Sequence, residues 1–281
     1  MPTPYAILTH FRSLTHSVKP DDSVDRIIIG DPEKDVSRVG VTWMSTFAKV
    51  REAVARGCEL LITHEPTFWI HANELATLEG WPHDSIKRQA ADRKCRFIEE
   101  NGLVILRIHD AWDAMPDIGI PWAWARHLGL HGKPVATTEH AFQQRYDIAP
   151  LTLDEFACRV ASKTAALGEP AVQVVGPPDK VVSKVGIGTG CYCDLEKFQQ
   201  MGCDVSIICD DSNWYWQWVQ LAADNDHSII RVNHGTSEEP GMITLTKYIN
   251  DTLPVRAEHI QHGAMFRLVG MRNAGCDPAA G

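Results

Sequence analysis

Two periods alternate along the first hundred residues. Short runs rich in aliphatic and β-branched side chains, residues 25–32 (DRIIIGDP), 37–44 (SRVGVTWM), 58–63 (CELLIT) and 103–108 (LVILRI), read as strands between polar and glycine breaks. Between them, residues 46–57 place Phe47, Val50 and Val54 at helical spacing and stop at Gly57. Residues 84–102 form a second helical stretch, opened by Asp84 or Ser85 and closed by Asn101-Gly102. This β-α-β-α-β order predicts a layered α/β fold with partly parallel strands.

The second half continues the alternation less regularly. Residues 121–130 predict a short helix with Pro121 in its first turn. Residues 152–167 open on a capping box, Thr152 with Glu155. Strand-like runs at 171–176, 184–190, 204–211 and 228–233 are interspersed with helical stretches at 194–202, 213–225 and 240–253. Beyond residue 253 no period stands out. Gly, His, Pro and Thr gather between 127 and 150 and place a lobe boundary there. The expected organisation is two interlocked α/β lobes, residues 1–127 with 226–281 and residues 128–225.

Composition changes this picture only at its edges. The 281 residues, 44% hydrophobic and 22% charged, suit a soluble globular protein with a sizeable core. A formal net charge of −9 and the lack of a basic patch argue against nucleic-acid and anionic-membrane partners. No apolar run is long enough to span a bilayer, and the first residues lack the charged and apolar regions of a signal peptide, so a cytoplasmic location is expected. The eight cysteines include no CxxC pair and are expected to be reduced thiols.

Three strand-like runs end in metal-type ligands. The run at 58–63 stops on His64-Glu65, that at 103–108 on His109-Asp110 with Asp113 close behind, and that at 228–233 on His234 with Glu238 four residues on. In open α/β sheets, sites assemble beyond the carboxyl ends of strands, so the three ends would focus imidazoles and carboxylates together. That donor set suits Zn, Mn, Fe, Co or Ni without thiolates. Bound cations would relieve repulsion among the carboxylates, and two of them about 3.5–4 Å apart could clamp a substrate oxygen. Singly, each HxxxD or HxxxE spacing is common by chance, and a lone histidine is more often a surface residue. HExxH is absent, since Pro66 follows Glu65.

The segments LLITHEPTFW, RIHDAWDA, GIGTG and NHGTSEEPG resemble, in this order, the motifs of the Nif-three-like family of dinuclear-metal, often hexameric proteins named GTP cyclohydrolase 1 type 2. The resemblance runs from about residue 25 to about residue 250, and the chain is too short for the inserted domain of longer relatives. It implies two lobes with a metal cleft between them, two divalent ions per subunit and a homohexamer. By the same resemblance His64 and Asp113 bind the first metal, Glu238 bridges both, and His234 and Glu65 bind the second. His109 matches a histidine beside the metals that serves as an extra ligand or proton shuttle, so His109 and Glu238 are the candidate catalytic residues.

One departure matters. The family usually carries a second histidine where this chain has Glu65. With Glu65, Asp113 and Glu238 ionised, two divalent ions leave the cluster one unit positive, where the histidine-bearing set leaves two. Three consequences stay open: harder metals such as Mn or Mg at the second position, a weakly held second metal, or slower hydrolysis.

Other segments carry two readings each. GIGTG could cradle an anion or simply turn the backbone; it lacks the full dinucleotide spacing and a Walker lysine. Trp214, Tyr215, Trp216 and Trp218 could stack a base, but rings spaced along a helix better suit core and subunit-interface packing. Asp210 and Asp211 either face the cleft or cap a helix. Trp69 and Trp112 each neighbour a proposed ligand, and His259 and His262 have no assigned role. The leading functional expectation is a metal-dependent hydrolase acting on a small molecule, with ring opening of GTP suggested by the resemblance. The alternative is a metal-binding, ring-shaped adaptor with little catalysis.

Overall fold

The computed structural model describes residues 1–15, 22–71, 73–212 and 215–266. Its strands are β1 (Arg26–Ile29), β2 (Arg38–Met44), β3 (Leu60–Glu65), β4 (Val104–Arg107), β5 (Ala136–Thr137), β6 (Gln144–Thr152), β7 (Gln173–Val175), β8 (Val181–Ile187), β9 (Val205–Cys209), β10 (Ser228–Val232) and β11 (Arg256–His259). Its helices are α1 (Pro4–Leu14), α2 (Phe47–Ala55), α3 (Glu74–Glu79), α4 (Ile86–Glu100), α5 (Asp110–Asp113), α6 (Ile120–His127), α7 (Leu153–Ala165), α8 (Leu195–Gln200), α9 (Gln220–Asp224) and α10 (His234–Thr252). The strands form two mixed sheets, ordered β1-β4-β3-β2-β11 and β5-β6-β8-β9-β10-β7. In the first, β11, β2, β3 and β4 are parallel and β1 closes one edge antiparallel. In the second, β8, β9 and β10 are parallel, flanked by antiparallel β6 and β7.

The fold is thus α/β with two lobes. Alternation along β3 shows how the first sheet is buried on both faces. Leu60 and Ile62 join a core with Phe11, Trp112, Met242 and Leu245. Leu61 points the other way, into a core with Phe68, Leu78, Ala91 and Ile98. A run buried on both sides reads as continuously apolar, which is why LLI carries a strand signal without alternation. The second lobe has its own core around Phe156, Val160, Val185, Phe198, Ile207 and Ile230.

Three features differ from the sequence expectations. β10 lies in the second sheet, so the chain returns to the first lobe at Asn233 and not at residue 226. α10 begins at His234, six residues before the Pro240 read as its start; the proline sits inside the helix, and Gly241 behind it lets Ile120 of α6 pack against the backbone. The segment after residue 253 supplies β11, which extends the parallel set beside β2. The capping box of Thr152 and Glu155 opens α7 as expected. Among the described residues, no helix is long and apolar enough to cross a membrane. Seven cysteines are free thiols, and Cys276 lies outside the described residues.

One buried ion pair ties the lobe together beneath the site. The Arg107 guanidinium and the Glu74 carboxylate, both fully buried, lie 2.9 Å apart. Arg107 also donates to the carbonyls of Val24 and His71. Burial pushes the Glu74 carboxyl up to about 6, against the pull of Arg107. Removing one partner of such a pair leaves an uncompensated buried charge, whereas removing both is far milder. Arg107→Leu is therefore expected to cost about 3–5 kcal/mol in urea denaturation. The double variant Arg107→Leu/Glu74→Leu should lose less than the single one, its remaining loss coming from the undonated carbonyls.

Candidate metal centre

The topology decides where the ligands meet. In each sheet a parallel triplet, β2-β3-β4 or β8-β9-β10, directs its carboxyl ends toward the other lobe, and chain emerging from all six ends lines one cleft of about 380 Å³. Trp43, Met44, Glu65, Pro66, Trp69, His71, His109 and Asp113 come from the first triplet. Thr189, Gly190, Cys191, Tyr192, Asp211, His234 and Glu238 follow from the second. This is the strand-end crevice expected of open α/β sheets, formed twice over.

Neighbouring residues of β3 part at this point. His64 continues the face of Leu60 and Ile62 and is fully buried, while Glu65 takes the opposite face and lines the cleft. His109 and Asp113 sit one turn apart around α5, and His234 and Glu238 one turn apart at the start of α10. The five residues expected to bind metal, together with His109, come together. His64 Nε2 lies 3.6 Å from Asp113 Oδ1 and 3.4 Å from Glu238 Oε2. His234 Nε2 is 3.0 Å from Glu238 Oε2 and 3.5 Å from Glu65 Oε1. His109 Nδ1 is 3.1 Å from Asp113 Oδ2, and its ring stacks on that of His64 at 4.3 Å.

The state of His64 follows from its partners. Its Nδ1 faces the Ile108 carbonyl at 3.3 Å, which can only accept, so Nδ1 carries the proton and Nε2 a lone pair. Burial, with His109 adding to it, pushes the imidazole pKa down to about 3, so the ring is neutral. The Nε2 lone pair therefore confronts two carboxylate groups, and this buried atom has no hydrogen-bond partner. No donor lies between this lone pair and the two carboxylates it faces; a cation there turns their repulsion into ligation. Backbone-oriented imidazoles of this kind are the usual second support of metal ligands. The residues present fit a divalent metal. Groups that could hold one are His64 with His109 and Asp113, His64 with Glu65 and Glu238, and Glu65 with His71 and His109.

The remaining charges are unevenly held. Burial raises the carboxyls of Asp113 and Glu65, Asp113 against the pull of His109, with Glu238 adding repulsion to both. Burial acts on Glu238 in the same sense, but His234, His64 and the Trp43 indole outweigh it and hold that carboxyl below its ordinary value. Burial opposes charge on His109 and His234, yet the surrounding acids raise both to about 10. Either imidazole must lose its proton to ligate, so metal competes with protons here.

Supporting contacts were less legible. Trp43 Nε1 donates to Glu238 Oε2 at 2.7 Å. Asp25 accepts from the backbone N–H groups of His109, Asp110 and Ala111, fixing the start of α5. Asp210 accepts from the His234 N–H and so caps α10, while Asp211 lines the cleft with Oδ2 3.8 Å from His234 Nδ1. His71, absent from the sequence reading, places Nε2 3.6 Å from Glu65 Oε2. GIGTG is a backbone turn whose end reaches the cleft: Gly190 has φ +51°, and a Cβ there would stand 2.9 Å from His234 Nε2. Trp112 is core, donating to the Gly241 carbonyl, whereas Trp69 is half exposed at the cleft with φ +66°. Tyr215 and Trp216 are exposed and Trp218 is partly buried, which corrects core packing for the first two; Trp214 lies outside the described residues. His259 binds Glu239 at 2.6 Å, and the backbone of His262 donates to the same carboxylate.

A two-lobed α/β fold with a histidine–carboxylate cluster that could hold a metal ion in the cleft between strand ends defines the class. Within it, the chain belongs to the Duf34/NIF3 (NGG1p interacting factor 3) family, whose model matches residues 21–264. A protein of Chlamydia pneumoniae named GTP cyclohydrolase 1 type 2 homolog is 21% identical over 264 residues, covering 92% of this chain and 98% of its own. The crystal structure of a Staphylococcus aureus hypothetical protein superposes with a TM-score of 0.74 at 17% identity, over 95% of this chain and 99% of that one. A Bacillus cereus protein related to NIF3 gives 0.71 at 17% identity, over 96% and 99%. At such identities the structures share the fold.

Gly190→Ala tests how closely the second lobe presses on the cluster. The added methyl and the left-handed backbone should displace His234 and Glu238, lowering Mn or Zn affinity by about tenfold or more. Isothermal titration of metal into chelator-treated protein measures this, with circular dichroism expected to stay native.

Proposed function

We propose that the protein is a dinuclear-metal-dependent hydrolase acting on a small molecule in the cleft between its lobes. The observation that carries this reading is His64 Nε2, a buried lone pair facing the carboxylates of Asp113 and Glu238 with no donor to satisfy it. Two divalent ions would occupy the cluster, the first held by His64 and Asp113, the second by His234 and Glu65, with Glu238 between them. When bound, such ions supply Lewis acidity toward a substrate oxygen and make water a stronger acid.

The chain's own residues divide the remaining work. Glu238 is oriented by the Trp43 indole and by its place on α10, which sets its carboxylate between His64 and His234. His109 borders the cleft between Asp110 and Asp113, with Nδ1 within 3.1 Å of both carboxylates, and can pass a proton between them and a bound substrate. Trp69 and Tyr192, exposed on walls from different lobes, offer flat apolar surface to a planar ring. This supports a heterocyclic substrate, for which GTP is the first compound to try, given the name of the Chlamydia relative.

A second reading, a metal-binding ring-shaped adaptor, is favoured by the rings of Tyr215 and Trp216, both more than three-quarters exposed. Rings of that size left in solvent suit self-association, and a homohexamer is the assembly proposed.

Two measurements test these readings. Protein purified without chelator should carry two divalent ions per subunit and His64→Ala fewer; absence of metal from the native protein overturns the proposal. With Mn or Zn added, hydrolysis of GTP, simple esters or phosphodiesters should rise above background and be lost in His64→Ala. Background rates on all of them with full metal content favour the adaptor. For assembly, light scattering should give six subunits, with a smaller species for Tyr215→Ser/Trp216→Ser.

A further inference from the structure

We infer that His71 is a metal ligand of this protein, binding a cation together with Glu65 and His109 on the cleft side of the cluster. The inference rests on the metal reading above but concerns a residue outside the strand-end pattern. It starts from Glu65, whose two oxygens face different ways: Oε1 lies 3.5 Å from His234 Nε2, and Oε2 lies 3.6 Å from His71 Nε2. At 3.6 Å the second contact is too long for a hydrogen bond. Donor atoms of Glu65, His71 and His109 nevertheless all fall within 4.8 Å of one another, a spacing that two imidazoles and a carboxylate sharing one cation would have.

The chain is built to bring His71 there. After β3 the segment from Pro66 turns back at Trp69, whose φ of +66° is a strained conformation for a bulky residue. Arg107 then anchors the returning backbone, donating to the His71 carbonyl at 3.0 Å while it is paired with buried Glu74. The His71 ring meets that of His109 edge-on at 5.2 Å. Strain at one residue and a buried ion pair beneath the next are costs that ordinary loop closure does not require.

Glu65 thereby does what an imidazole could not. One oxygen faces the position shared with His234 and Glu238, and the other faces His71 and His109, a third and weaker position in addition to the two proposed above. The nitrogen donor that β3 lacks beside His64 is supplied six residues further on, by the loop. The ligand class is a divalent cation of intermediate character, Mn, Fe, Co or Zn, since the set mixes imidazole and carboxylate.

The side chain is half exposed, so its replacement leaves the fold intact, and melting in excess chelator should be unchanged. The test titrates Mn and Co into chelator-treated native protein and into His71→Ala, His71→Gln and His71→Asp. The Ala and Gln variants should bind their weakest ion at least about tenfold less tightly, and the visible spectrum of the Co-loaded protein should shift in both. The Asp variant, which restores a ligand, should recover Mn affinity. Native affinities and spectra in all three variants overturn the inference while leaving the dinuclear reading standing. Failure of the native protein to take up any metal overturns both.

Discussion

The site rests on a convergence of acceptors that the protein alone does not neutralise. Four carboxylates and four imidazoles are drawn to one cleft, and at its centre a buried imidazole lone pair faces two carboxylates. Much of the surrounding structure restrains that convergence. Asp25 ties down the start of α5 through three backbone N–H groups, and Asp210 holds the start of α10 through the N–H of His234. Trp43 gives Glu238 a neutral donor. Without such restraints the acids would swing toward solvent, because hydration offers a charged carboxylate more than an apolar wall does. The rigidity of the frame is what keeps the repulsion in place for a cation to relieve.

That frame is a consequence of topology. Each lobe carries a parallel triplet, and parallel strands present all their carboxyl ends on one side. Joining the lobes with those sides facing gives six chain exits around one space. The crossing from β10 of the second lobe into α10 of the first places the His234–Glu238 turn at the seam itself. Any change in how the lobes meet therefore moves Asp211 and Gly190 of the second lobe relative to the residues on β3, α5 and α10, and Gly190, with no room for a side chain, records how tightly they meet.

The strand ends were legible because strand and ligand are adjacent in sequence. LLI followed by His-Glu, and VILRI followed by His-Asp, announce both the element and its terminus. The start of α10 was not legible, because Pro240 imitates a helix start and the turn before it is rich in Gly, Thr and Ser. Contacts made across sequence were also hidden: Trp43 meets Glu238 from 195 positions away, and Asp25 meets α5 from more than 80. His71 was obscured differently. It follows no strand, and only the reversal at Trp69 returns it to Glu65. For the same reason Arg107, a cation inside an apolar strand, gave no hint that it anchors that loop.

The adjacency of His64 and Glu65 now has a geometric meaning. Successive strand residues point to opposite faces, so a pair of ligands at a strand's end cannot both serve one position in the same way. His64, on the buried face, has its proton committed to a carbonyl and offers a single fixed lone pair. Glu65, on the cleft face, offers two oxygens with freedom to rotate between His234 and His71. The buried side of the cluster is consequently rigid, a single imidazole among carboxylates, and the cleft side adaptable and richer in imidazoles. A cation on the first side would be held by the fold. One on the second would be held by side chains open to the cleft, so its exchange and softness would be set there, at Glu65.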